Sequence, residues 1–125
     1  MKHTITVRFE GQEPIIQGVP EGYLTEYLAK DPDGILYFVD RPRDFRTDTL
    51  KGYVTFCVFV GQGENMQQAR LSKAERLRDG GTTSIHFDLE GKIGRIRFPT
   101  PLDPRRKPSV LYNGYGGEVT LGRII

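Results

Sequence analysis

The sequence predicts a mainly β domain, an α+β chain leaning to all-β, built as a sandwich or partly open barrel of sequential antiparallel hairpins with one short helix. Three observations predict it. Tyr53 to Val60 is an unbroken run of eight apolar, β-branched or aromatic residues between Gly52 and Gly61, the pattern of a strand covered on both faces. Several other stretches alternate polar and apolar residues with period 2. Turn chemistry rich in Gly, Pro, Asp and Asn separates them at short intervals. The 125 residues suit one hydrophobic core, so positions 1–125 are expected to form a single β-rich domain.

In order along the chain, Thr4 to Glu10 places Ile5, Val7 and Phe9 on one face and Thr6, Arg8 and Glu10 on the other, a half-buried strand. Gly11 to Glu13 turns it, and Pro14-Ile15-Ile16-Gln17-Gly18 returns, with Pro14 first, where a missing N–H is tolerated. Tyr23 to Lys30 fits a helical face through Leu24, Tyr27 and Leu28 and a strand through its tyrosines and Thr25. The turn Asp31-Pro32-Asp33-Gly34 and the clear strand Ile35 to Val39 favour a hairpin, with a helix before the turn as the alternative.

In the run from Tyr53 to Val60, Tyr53, Thr55, Cys57 and Phe59 point one way and Val54, Phe56, Val58 and Val60 the other. Cys57, the single cysteine, excludes an internal disulfide and is expected to be a buried core residue, slow to react with thiol reagents. Beyond the strand, Ser72-Lys73-Ala74-Glu75 matches a capping box and Asp79-Gly80-Gly81 a glycine stop. These predict a helix over 73–79, extending back towards Met66.

Ser84 to Glu90 alternates without interruption, with Ile85, Phe87 and Leu89 inward. If Gly91-Lys92 is the hairpin loop to Ile93–Phe98, then Asp88 pairs with Arg95, Phe87 with Ile96 and Ile85 with Phe98. Pro99 to Pro108 is a proline-stiffened loop with a basic tip. A last hairpin runs from Ser109–Tyr112 through a turn within Asn113–Gly117 to Glu118–Ile125, for a total of nine short strands. The apolar end, Ile124-Ile125, is expected to dock in the core or against a second copy, and a homo-oligomer is the reading adopted.

Lys and Arg number 18 against 16 Asp and Glu, a balance that neither requires nor excludes a nucleic-acid partner. No apolar run reaches the length that spans a bilayer, so no membrane partner is expected, and the start lacks the apolar stretch of a secretory signal, which predicts a cytoplasmic protein. Gly61-Gln62-Gly63 has Met66 in place of a third glycine and is a strand-exit loop, not a dinucleotide fingerprint. No catalytic residue, metal site or cofactor is assigned. His86 and Asp88, i and i+2 on one strand face, are the nearest approach to acid–base chemistry, and a hydrolase or transferase using them is the weakest of three functional readings.

The arginines carry the leading one. Arg41, Arg43 and Arg46, then Arg95 and Arg97, then Arg105, Arg106 and Lys107 lie in or beside loops, accompanied by Phe45, Tyr112 and Tyr115. Guanidinium groups with neighbouring aromatics suit phosphate binding and base stacking. The expectation is a non-enzymatic module for an anionic ligand, a nucleotide or nucleic acid. The second reading is an interaction protein that uses sheet edges and the apolar C-terminus.

Overall fold

The computed structural model describes residues 2–9, 15–20, 23–42, 56–62, 65–77, 81–99 and 105–124. They form eleven strands: β1 (Lys2–Phe9), β2 (Ile15–Pro20), β3 (Tyr23–Lys30), β4 (Leu36–Pro42), β5 (Cys57–Gln62), β6 (Asn65–Leu77), β7 (Thr82–Leu89), β8 (Lys92–Pro99), β9 (Ser109–Tyr112), β10 (Tyr115–Glu118) and β11 (Thr120–Ile124). All belong to one antiparallel sheet of order β10-β9-β8-β7-β6-β5-β4-β3-β11-β1-β2. The sheet curls into a half-barrel, so the mainly β, partly open barrel architecture is the one adopted.

The run that dominates the sequence sits at the middle of this order, and its alternation is reproduced over the residues described. Val58 and Val60 enter one cluster with Tyr27 and Ala29 of β3, Tyr37 and Val39 of β4, and the inward residues of β7, β8 and β9. Phe59 enters another with Leu28, Leu36, Phe38 and, from β1, Val7 and Phe9. Strands β3, β4 and β5 are therefore buried on both faces, which is why their sequences are nearly continuously apolar. Curling brings β8 back over β3: the Tyr27 ring stacks on Phe98 with centroids 4.9 Å apart. Tyr37 meets Tyr112 edge-on at 6.3 Å.

The hairpin at Asp31–Gly34 is as the sequence predicts. The Asp31 carboxylate accepts from the backbone N–H of Asp33 (2.9 Å) and Ile35 (3.0 Å) and from the Tyr37 hydroxyl (2.7 Å), while Gly34 takes φ +86°. A buried carboxylate is tolerated here because both its oxygens are bonded.

Three expectations are corrected. The predicted helix over 73–79 is absent over its described part, and residues 65–77 form the strand β6. Its pairing slips between Leu71 and Lys73, leaving Ser72 as an extra residue, a bulge. Ala69 then packs inward opposite Val58, and Ala74 opposite Ile85. The capping-box partner Glu75 lies instead 3.4 Å from Lys73 Nζ.

The register of the β7–β8 hairpin is also different. Leu89 pairs with Lys92 and Asp88 with Ile93, so the loop is Glu90-Gly91, and Phe87 faces Gly94 where Ile96 was expected. Glu90 (φ +54°) and Gly91 (φ +81°) both take the left-handed conformation of a type I′ turn, whose twist matches the strands. The Gly91 N–H donates to Asp88 Oδ1 at 2.9 Å. The Phe87 ring lies over Gly94 so closely that a Cβ there would come within 2.2 Å of it.

Finally, Cys57 is half-buried beside the second cluster, with Gln68 Nε2 at 3.8 Å from its sulfur, so it is less enclosed than expected. The end of the chain is not a loose tail over its described part. β11 is inserted between β3 and β1, with Ile124 paired to Val7. Ile125 lies outside the described residues, as does the strand expected over 53–55.

Candidate anion-binding site

The outer face of β6 to β9 is assembled by cross-strand pairing. One row runs Glu75, Ser84, Arg97 and Ser109; the next runs Lys73, His86, Arg95 and Leu111. Alternation along β8 sends Ile96 and Phe98 into the core and Arg95 and Arg97 to this face. Strand rise separates those two arginines by about 7 Å.

At one end of the face lies an open pocket of about 180 Å³, lined by Thr82, Arg97, Phe98, Pro99, Arg106, Lys107 and Ser109. Three of the predicted anion-binding side chains thus converge, Arg97 from β8 and Arg106 and Lys107 from the end of the connection to β9. An Arg106 guanidinium N–H donates to Thr82 Oγ1, which holds the basic loop against the start of β7. Lys107 Nζ is 3.5 Å from Glu118 Oε2, an exposed pair that is weak in water and open to exchange. The Arg97 Nε is buried and has no hydrogen-bond partner. Among the described residues neither Arg95 nor Arg97 has a carboxylate within ion-pair distance, unlike Arg70, which lies 3.8 Å from Asp88, and Lys73, paired with Glu75.

The remaining predicted residues are placed as follows. Arg105 is exposed at the loop next to the pocket. Tyr112 is buried in the core against Phe87 (5.3 Å) and Tyr37, so it presents no ring to a ligand. Burial, with Glu90 and Asp88 nearby, raises its phenol pKa. The Tyr115 hydroxyl donates to the Glu118 carbonyl, closing off an acceptor on the free edge of β10. Arg43, Phe45, Arg46 and the side chain of Arg41 lie outside the described residues.

His86 and Asp88 do not form the acid–base pair considered from sequence. Asp88 is engaged by Gly91 and Arg70. Both neighbours of His86, Ser84 Oγ at 3.3 Å and Glu75 Oε1 at 3.8 Å, approach its Nε2. A relay needs the base and the orienting carboxylate on different ring nitrogens. Among the described residues no group of three or more His, Cys, Asp or Glu could hold a metal ion, and no helix is long and apolar enough to cross a membrane.

Thr82 and Ser109 were not singled out in the sequence. Ser109 had a positional signal, as the first strand residue after the basic loop, whereas Thr82 follows Gly80-Gly81 and is brought to that loop only by strand pairing. No protein-family model, curated protein or solved structure matches this chain.

Proposed function

We propose that this domain is a non-enzymatic binding module for an anionic, phosphate-bearing ligand, held in the pocket between β8 and the 105–108 loop. The observation that carries this reading is Arg97, whose buried Nε–H has no partner at the wall of a pocket shared with Arg106 and Lys107. A buried neutral donor left unbonded costs about 1–3 kcal/mol, and one belonging to a charged group costs more. An oxyanion in the pocket can accept from the Arg97 guanidinium that lines it, offsetting that cost, and the charge-assisted bond is stronger than a neutral one. The hydroxyls of Thr82 and Ser109 can supply further donors to a tetrahedral anion.

Calorimetric titration with inorganic phosphate, pyrophosphate and a nucleoside triphosphate at low salt tests the reading. Binding of at least one, weakened tenfold or more in Arg97→Gln with an unchanged or higher melting temperature, is the expected result. Absence of binding by all three to the unaltered protein would overturn it.

A further inference from the structure

We infer that the ligand is a single nucleic-acid strand, which leaves the pocket and runs along β8 over Arg95, with bases resting on Ile93 and Leu111. The inference rests on the anion-binding reading above and adds the class of ligand. Arg97 lines the pocket and Arg95 does not, their backbones being about 7 Å apart along the strand. A chain of phosphates engages both without drawing the second side chain into the pocket, and Arg95 and Arg97 are the two cations of β8 on this face that have no carboxylate partner among the described residues.

Beside Arg95 the face changes character. Ile93 is 73% exposed and Leu111 is 50% exposed. Both share the outer face with Arg95, Leu111 directly across from it and Ile93 two residues along β8. Large aliphatic side chains wet on a sheet surface, flanking an unpaired guanidinium, offer apolar contact to a base and charge to its phosphate. A mononucleotide in the pocket would leave this half of the face unused. The acidic groups of the face, Glu75, Asp88 and Glu118, which pairs with Ser109, are already engaged by Lys73, Arg70 and Lys107, so they repel a passing backbone less than bare carboxylates would.

The test uses the whole chain and a fluorescein-labelled deoxythymidylate dodecamer, with thymidine monophosphate, pyrophosphate and heparin as competitors. The dodecamer is expected to bind at least tenfold more tightly than the monophosphate. With Arg95, Arg97, Arg106 and Lys107 each meeting a phosphate, log K should fall with log salt at a slope near −3, from about 0.7 per contact on single strands. Arg95→Gln should weaken the dodecamer about fivefold or more and reduce the slope by about 0.7, leaving pyrophosphate binding within twofold. The double variant Ile93→Ser, Leu111→Ser should weaken the dodecamer but not heparin.

If phosphate or pyrophosphate binds but the dodecamer binds no better than the monophosphate, the strand inference is overturned and the pocket reading stands. If heparin competes as well as the dodecamer and the aliphatic variants change neither, the site is a general polyanion surface and the nucleic-acid assignment is overturned. If none of these anions binds, both fall together.

Discussion

Tyr27 and Tyr37 both bury their hydroxyls on the same side of neighbouring strands, and only Tyr37 has an acceptor, Asp31 Oδ2 at 2.7 Å. Their replacement by phenylalanine should therefore act in opposite directions. Tyr37→Phe removes a bond to a carboxylate and should cost about 1.5–3 kcal/mol, whereas Tyr27→Phe removes an unbonded buried hydroxyl and should be neutral or stabilising. Urea denaturation of the two variants checks this, and equal destabilisation would contradict the geometry. Both phenols also report on pH. Burial holds each far above its ordinary value of about 10, helped at Tyr37 by the bond to Asp31. The unfolded chain gives up these protons near pH 10 while the folded one keeps them. Their contribution to stability is thus complete below about pH 10 and lost as pH rises further. Phenolate absorbance should show these two tyrosines ionising only together with alkaline unfolding.

Among the elements, β6 shows where the sequence was legible and where it was not. Strands with uninterrupted alternation, such as β1 and β7, and hairpins with explicit turn residues, such as Asp31–Gly34, can be read directly. In β6 the bulge at Ser72 inserts one residue, so the inward positions Leu71 and Ala74 stand three apart and imitate a helical face. The same device, an irregularity between Thr25 and Tyr27, made β3 ambiguous. The β7–β8 register was hidden for another reason: the true pairing and the expected one differ by two residues, and a shift of two preserves which side chains point inward. The positive φ values of Glu90 and Gly91 and the Phe87 ring lying over Gly94 separate them. At the candidate site, alternation along β8 placed Arg95 and Arg97 correctly on one face, but the meeting of Arg97 with the 105–108 loop follows from the β8–β9 register, with Arg97 opposite Ser109, and no short turn between the two strands marks that register in the sequence. Ser72→Ala should change stability by less than about 0.5 kcal/mol, since an exposed bulge residue has no cap to lose. Ala74→Asp, which sets a carboxylate against the core, should cost at least about 2 kcal/mol. A helix capped by Ser72 would instead lose about 1 kcal/mol in the first variant.

The whole molecule is organised about two cores on opposite faces of β3, β4 and β5. The second depends on β11, which lies between β3 and β1. At the join, the Phe9 ring covers Gly122, where a Cβ would come within 2.7 Å of that ring and 3.0 Å of Leu28. Gly122→Val should loosen this seam selectively. Amide exchange in β1 and β2 should rise at least tenfold while β7 and β8 keep their protection, and uniform acceleration would show that the two halves open as one unit. The placement of β11 also has a consequence in time. Phe9 pairs with Gly122, so more than a hundred residues must follow β1 out of the ribosome before its neighbour on the side away from β2 exists. At synthesis rates of 5–20 residues per second this is a wait of roughly 5–20 s, during which the first strand made has one edge and the side chains of Val7 and Phe9 without their final cover. Of this domain's strands the β1–β2 hairpin is the first synthesised and the last able to dock, so the newly made domain is most exposed to aggregation at the hairpin made first.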